Sequence, residues 1–264
     1  MDKMEKLVFN KQVIKTDKYT ITKDYETPIV VPNNHGYTGV RGQAKNLTKS
    51  IYNSIKRTKE AIFGYAIANA WGFMITLTFD GSKIDRYDLD KIQKRVTIYL
   101  NNQKKKHQQL KWLLVPERHK DEAWHMHGLI YGLPMSELRD TGKVSKSGRK
   151  IYNWVDFESK FGFNTLVDIR HAPLDEMYKI ANYITKYITK DLALYRINRK
   201  KYWSSKGLKK PKKTNTLDLG YGGFDDGFNP STPIIAEREY YIKDRLTGEI
   251  RNTVNEVVEL NLPF

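Results

Sequence analysis

The chain has 264 residues, a formal net charge of +16 and a sequence pI of about 9.6. Such a cationic excess favours a polyanionic partner, and nucleic acid fits it better than a membrane surface. No apolar run approaches the roughly 18 residues of a spanning helix, and no secretory signal or cysteine is present, which excludes disulfides and thiolate metal sites. The composition predicts a cytoplasmic protein that binds nucleic acid and no membrane.

The first 40 residues predict strands, because short apolar runs alternate there with turn signals. A helix is predicted next, from about Asn46 to Trp71, where apolar residues recur at spacings of three, four and seven. Basic residues lie mostly off its apolar stripe, and we single out Lys49, Lys56 and Arg57. They form either a solvated face or a surface that follows a phosphate backbone.

The middle of the chain predicts alternating strands and helices. In order these are a strand at 73–79 with alternating threonines, a basic helix at 86–107, strands at 111–117 and 124–131, an exposed hairpin or loop at 136–153 and a strand at 163–170. A short polar turn joins the strands at 111–117 and 124–131, so these two form an antiparallel hairpin.

Two histidines suggest a metal site on that hairpin. His125 and His127 share a face, because alternate side chains of a strand point the same way. If Glu117 pairs opposite His125, its carboxylate joins that face, whereas a register slipped by one residue would reverse it. Such a donor set suits Mg²⁺ or Mn²⁺ acting on a phosphate, although zinc would also accept it. His119 is a rival third ligand, and histidines satisfied by hydrogen bonds alone are the plainer alternative.

A helix is predicted at 173–192, because Pro173 and two acidic residues suit its first turn and apolar residues recur along it. It contains Tyr183 and Tyr187, four residues apart, and each is followed three residues later by a lysine. A phenol titrates near 10, so a tyrosine nucleophile needs positive charge nearby, which lysines or a metal would supply. Two half-buried structural tyrosines are the alternative.

The segment 190–213 carries ten Lys or Arg residues against one Asp, with aromatic residues between them. Rings that stack on bases and cations that meet phosphates suit single-stranded DNA, and a solvated basic tail is the alternative. The residues that we expect to contact DNA here are Arg196, Arg199, Lys200, Lys201, Tyr202, Trp203 and Lys206. Beyond this segment, a hairpin is predicted at 239–250 and a strand at 257–262.

Three blocks, in this order, resemble the HUH endonuclease superfamily. They are FMITLTF at 73–79, His-Met-His at 125–127 with Glu117 upstream, and the two-tyrosine repeat YITKYITK at 183–190. More narrowly, the set is similar to rolling-circle replication initiators of small single-stranded-DNA phages and plasmids. The resemblance implies an α+β fold with a central antiparallel sheet of about five strands flanked by helices. It places a nicking and joining domain at 41–213, between strand-forming extensions at 1–40 and 214–264.

The resemblance also implies a mechanism. A tyrosine would attack one DNA strand at an origin, leaving a 5′-phosphotyrosine bond and a free 3′-OH, and the strand would later be rejoined. The implied metal ligands for Mg²⁺ or Mn²⁺ are Glu117, His125 and His127, and the implied catalytic groups are Tyr183, Tyr187, Lys186 and Lys190. The implied partners are single-stranded or unwound origin DNA and a helicase and polymerase of a bacterial host. Two alternatives remain, an HUH transposase or mobilisation relaxase, and a non-catalytic DNA-binding protein.

Overall fold

The computed structural model describes residues 7–31, 46–197, 199–217, 233–243 and 248–261. Its elements are β1 (Leu7–Lys15), β2 (Tyr19–Val31), α1 (Leu47–Ala68), β3 (Phe73–Thr78), α2 (Leu89–Lys106), β4 (Lys111–Arg118), β5 (Trp124–Tyr131), β6 (Leu138–Val144), β7 (Lys150–Trp154), α3 (Val155–Phe161), β8 (Asn164–Asp168), α4 (Leu174–Thr185), α5 (Lys190–Tyr195), β9 (Trp203–Ser204), β10 (Lys212–Thr216), β11 (Ile234–Lys243) and β12 (Ile250–Leu260). Helices and two antiparallel sheets confirm the predicted α+β class. The chain divides into two compact units.

The unit Arg41–Lys209 is built on a seven-stranded sheet in the order β6-β7-β8-β3-β5-β4-β9. Every neighbouring pair is antiparallel, and β3 and β5 lie in the middle. The sheet has two strands more than the five or so expected, since the exposed hairpin predicted at 136–153 is joined to it as β6 and β7 and the two-residue β9 extends the opposite edge. The histidine strand therefore occupies a central position.

One face of this sheet is apolar. On β3 the side chains of Phe73, Ile75 and Leu77 are buried, while the threonines between them are half-buried on the opposite face. Buried rings connect α2 to α3, and one of them, Phe157, also contacts Phe79, which continues the buried alternation of β3. Alternation with period two thus separates a packed core face from a polar face.

Helices α1, α4 and α5 pack together, and α1 and α5 also contact β4. The polar face receives the tyrosine segment, because the Tyr187 ring stacks on His127 of β5. Helix α1 begins at a side-chain cap, in which Asn46 accepts a hydrogen bond from the backbone N–H of Lys49.

A single glycine allows the two functional strands to approach each other. A Cβ atom on Gly128 would lie 1.9 Å from the carbonyl oxygen of Leu113 on β4. No side chain fits at that distance, so glycine directly after His127 is a steric requirement of the β4–β5 pairing.

The single helix predicted at 173–192 is wrong in one respect. Helix α4 ends at Thr185, residues 186–189 form a turn, and α5 begins at Lys190. Two features explain the break. The repeat is rich in β-branched and aromatic residues, which lose side-chain freedom in a helix, and Thr189 caps a new helix by accepting from the backbone N–H of Leu192.

The second unit carries a five-stranded antiparallel sheet in the order β10-β1-β2-β12-β11. The N-terminal and C-terminal extensions share this sheet, because β12 pairs with β2. The hairpin predicted at 239–250 corresponds to β11 and the start of β12, although Thr247 in its turn lies outside the described residues. The strand predicted at 257–262 is the second half of β12.

Charge is buried in the middle of this second sheet. Glu256 is almost inaccessible, and it forms ion pairs with Lys23 on β2, at 2.8 Å, and with Arg238 on β11. Both partners are its direct cross-strand neighbours. Because a buried carboxylate requires compensation, this triplet fixes the register of three adjacent strands.

None of the described helices has both the length and the apolar character that crossing a membrane requires.

Candidate active site

The predicted register of the histidine hairpin is confirmed. Glu117 lies directly opposite His125, and His127 is two residues further along the same face of β5. The carboxylate also reaches the second histidine, because Glu117 Oε2 lies 2.7 Å from His127 Nε2. All three side chains therefore meet on the polar face of the sheet.

The threonines of β3 orient both imidazoles. Thr76 and Thr78 are the cross-strand partners of His127 and His125, and their Oγ1 atoms lie 3.2 and 3.3 Å from the respective Nδ1 atoms. An Nδ1–H that donates to a threonine leaves Nε2 free to bind a cation, which is the usual arrangement around metal-bound histidine. Sequence analysis noted the alternating threonines but assigned them no function.

Burial lowers the pKa of both histidines. For His125 the neighbouring imidazole of His119 lowers the pKa further, whereas for His127 the carboxylate of Glu117 opposes the shift without reversing it. Both imidazoles are therefore neutral around pH 7, which is the form that binds metal ions.

Within the described part of the chain, no three His, Asp or Glu side chains converge on one point as a preformed metal site. The set nevertheless fits a divalent cation in its chemistry, because two oriented imidazoles and one carboxylate share a face. The hydrogen bond between Glu117 and His127 would have to be exchanged for bonds to the cation, and the partly exposed Glu117 side chain has room to turn. His119 is less suitable as a ligand, since its ring stacks on that of His125 and its Nδ1 lies 3.4 Å from Asp121.

The two tyrosines form one hydrogen-bonded pair beside the histidines. Tyr187 stacks on His127 with nearly parallel rings and centroids 4.0 Å apart. Its hydroxyl donates to the hydroxyl of Tyr183 at 2.8 Å, and the two phenol rings meet edge to face. Tyr187 is 5% exposed and Tyr183 is 43% exposed, so only the latter presents its ring to solvent.

The environment separates the acidities of the two phenols. Burial raises the pKa of Tyr183, but the Lys186 ammonium and the hydrogen bond from Tyr187 outweigh it, and the net pKa lies below that of an ordinary tyrosine. Burial raises the pKa of Tyr187, and its role as donor to Tyr183 raises it further. Tyr183 is thus the phenol that ionises more readily.

Only one of the two predicted catalytic lysines meets the tyrosine pair in the described residues. Lys186 Nζ lies 3.7 Å from the centre of the Tyr183 ring and 4.8 Å from that of Tyr187. Lys190 is exposed at the start of α5, where no contact with either ring is recorded. The helix break explains the difference, because Lys190 does not repeat the position of Lys186 on a continuous helix.

The basic residues predicted to contact DNA fall into two groups. The exposed group presents its charges to solvent and comprises Lys49, Lys56, Arg57, Arg199, Lys200 and Lys206. Arg199 is exposed although it pairs with Asp90, and Lys200 lies over the half-buried ring of Tyr202.

The second group differs from the expectation, because Arg196, Lys201 and Trp203 are buried. The Arg196 guanidinium is bonded to Asp90 and Gln93 and lies over the Trp203 ring. The Lys201 ammonium is bonded to Ser54 of α1 and to two backbone carbonyl groups. These three side chains hold the segment after α5 against α1 and α2, and their polar groups are occupied by protein partners.

Comparison with known proteins gives one match. Residues 72–192 match a family model for replication-associated proteins of the ORF2 and gene 2 protein type. The matched segment covers somewhat less than half of the chain, and it includes Glu117, both histidines and both tyrosines. Searches of curated proteins and of solved structures found no match. The similarity to a replication-associated family supports a role in DNA replication and DNA as the partner.

Proposed function

We propose that this chain is a replication initiator of the HUH type, which nicks one DNA strand at an origin through a tyrosine and later rejoins it. The observation that carries the proposal is the contact of Tyr187 with His127 and Tyr183. It joins two candidate nucleophiles to the candidate metal ligands in one continuous cluster. The match to a replication-associated family favours initiation over transposition or mobilisation.

Glu117, His125 and His127 would hold Mg²⁺ or Mn²⁺, which supplies positive charge to the scissile phosphate when bound. Thr76 and Thr78 hold the two imidazoles in the orientation that this requires. The neutral histidines and the ionised carboxylate give the site a charge that a divalent cation balances.

Tyr183 is the first nucleophile in this proposal, because it is exposed and its pKa is lowered. Its oxygen attacks the phosphorus, an O–P bond to tyrosine forms and the bond to the 3′ oxygen breaks. The phenol proton leaves to water, and the departing 3′ oxygen takes up a proton from water. Lys186 stabilises the negative charge of the phenolate and of the phosphate.

One phosphodiester replaces another in this step, so the reaction is close to thermoneutral and needs no ATP. Tyr187 is held in reserve by its hydrogen bond, and it becomes available for a second cut when Tyr183 carries DNA. The free 3′-OH then primes synthesis by a host polymerase. The sequence has no P-loop motif, so unwinding falls to a host helicase, and the reaction takes place in the cytoplasm of a bacterial host.

The exposed cations would guide the DNA towards this centre. Lys56 and Arg57 on α1, with Lys200 and Lys206 after α5, form the exposed part of the predicted interface. Phosphate contacts of this kind position a strand without reading its sequence, and they weaken as salt rises.

A denaturing gel tests the proposal. Labelled single-stranded oligonucleotides that span a candidate origin are mixed with the protein, with and without Mn²⁺, beside the Tyr183→Phe/Tyr187→Phe double variant. We expect a band that resists denaturant, requires Mn²⁺ and is lost in the double variant. Failure to form this band with any oligonucleotide that the protein binds would contradict the proposal and favour a non-catalytic DNA-binding protein.

A further inference from the structure

A cavity of about 320 Å³ opens beside the proposed nicking centre. Its walls come from two stretches, 116–124 at the turn between β4 and β5, and 187–195 at the turn before α5 and α5 itself. Glu117 and Tyr187 line it, so it is continuous with the metal ligands and the tyrosine pair. The proposed mechanism uses only this edge of the cavity and leaves the rest of its lining without a function.

Aromatic rings line the deeper part of the cavity. Trp124 is buried and forms one wall, and the Tyr195 ring packs against it with centroids 5.0 Å apart. Tyr195 is nevertheless 49% exposed, so a large part of its ring remains uncovered. An uncovered aromatic ring, braced by a buried one and next to a cavity, is the arrangement on which single-stranded nucleic acids stack their bases.

The charges around the cavity distinguish a base from a phosphate. Three carboxylates line it, those of Glu117, Glu122 and Asp191. Glu122 is paired with Arg118 at 3.3 Å, whereas Asp191 makes no ion pair or side-chain hydrogen bond with any residue that the structure describes. A carboxylate repels phosphate but accepts hydrogen bonds from the exocyclic amino group of a base, as in carboxylate contacts to cytosine N4.

We propose that this cavity binds one unpaired base next to the scissile phosphate, with Tyr195 as the stacking surface and Asp191 as the acceptor for an exocyclic amino group. The ligand is therefore a single-stranded DNA base that carries such a group, cytosine or adenine. Arg118 and Lys120 at the same cavity would meet the flanking phosphates. The inference rests on the proposed nicking function and adds to it a sequence-reading residue at one defined position.

Covalent capture from a pool of oligonucleotides tests this. Single-stranded DNA with a randomised central segment is incubated with the full-length protein and Mn²⁺, and the DNA that becomes attached is recovered after protease digestion and sequenced. The variants are Tyr195→Ala, Tyr195→Phe and Asp191→Asn. Tyr241→Ala is the control, because Tyr241 is equally exposed but lies on β11 in the other unit.

We expect the wild type to select cytosine or adenine at one position near the attached phosphate. Asp191→Asn, which keeps the size of the side chain, should relax selection at that position alone by at least about fivefold, as expected when a base contact is altered. Tyr195→Ala should lower the covalent yield about tenfold through lost stacking, and Tyr195→Phe should restore most of it. Tyr241→Ala should give the yield and base profile of the wild type.

The outcomes separate this inference from the proposed function. If the wild type captures DNA but both Asp191→Asn and Tyr195→Ala keep its yield and base profile, the base site is overturned while nicking stands. If the wild type captures no DNA that it binds, both proposals fall. If Tyr195→Ala does not fold, as judged by circular dichroism, the exposed and isosteric Asp191→Asn variant decides the matter through the base profile.

Discussion

The histidine strands and the tyrosine segment contribute to the same cluster, but their geometry is specified in different ways. On β3, β4 and β5 the side-chain period is two, and cross-strand pairing brings Thr78, His125 and Glu117 into line. In the tyrosine segment a four-residue repeat continues through the end of one helix and the start of another. A repeat in the sequence therefore need not produce a repeat in the structure.

This difference has a chemical consequence. The two histidines are nearly equivalent, since each has a threonine at Nδ1 and each has a lowered pKa. The two tyrosines are not equivalent, because Tyr187 is buried against His127 while Tyr183 is exposed beside Lys186. The regular strands supply paired ligands, and the broken helix supplies two nucleophiles of different acidity.

The largest effect is expected when the contact between the two regions is removed. His127→Ala deletes a proposed metal ligand and the ring on which Tyr187 stacks. We expect the rate of covalent complex formation with Mn²⁺ to fall by about 100-fold or more, as for loss of a group that stabilises the transition state. Gel-based initial rates measure this, and His171→Ala, at an exposed turn, is the control. A loss of only a few-fold would remove His127 from the proposed site.

Much of the strand geometry could be predicted from the sequence. The placement of Glu117 opposite His125 followed from alternation and from the short turn between the strands, and the structure confirms it. The end of α4 at Thr185 could not be predicted, because the apolar period of the segment remains helical across the break. The burial of Arg196 and Lys201 was also missed, because their partners Asp90 and Ser54 are distant in sequence.

A smaller effect is expected from the threonines that orient the histidines. Thr76→Val and Thr78→Val keep the shape and the strand preference of the side chain but remove the oxygen next to Nδ1. We expect each to weaken Mn²⁺ binding by roughly 10- to 100-fold, as for other groups that orient a metal ligand. Isothermal titration calorimetry measures this, and thermal unfolding should change little.

Thr165→Val is the matched control for these variants. Thr165 is the β8 neighbour of Thr76 on the same face, and its hydroxyl has no recorded bond to either histidine. Equal Mn²⁺ affinity in Thr76→Val, Thr78→Val and Thr165→Val would contradict the role of the β3 hydroxyls.

Replacing Lys186 tests the asymmetry of the tyrosines. Its ammonium lowers the pKa of Tyr183, so Lys186→Met should raise that pKa and reduce the phenolate fraction at any pH below it. A rise of one pKa unit corresponds to about a tenfold lower rate near pH 7. The rate of covalent complex formation should therefore require a higher pH in the variant. Lys190→Met should shift the profile less, and equal shifts in both variants would contradict the distinction between the two lysines.

The smallest effect concerns the break between α4 and α5. Thr189→Ala removes the side chain that caps α5, and we expect the free energy of unfolding to fall by about 1 kcal/mol. Urea denaturation measures it. Thr97→Ala, inside α2, loses no cap and should leave stability unchanged or slightly higher. A Thr189→Ala variant as stable as the wild type would show that the break does not depend on this cap.

Identification of the residue that carries the DNA tests the central claim most directly. Trypsin separates the two tyrosines, because cleavage after Lys179, Lys186 and Lys190 places Tyr183 and Tyr187 on different peptides, 180–186 and 187–190. After reaction with single-stranded DNA and Mn²⁺, nuclease trimming and mass spectrometry, we predict a nucleotide on the peptide with Tyr183. In Tyr183→Phe it should move to the peptide with Tyr187. A nucleotide on any other residue, or DNA cleavage without a modified peptide, would contradict the account.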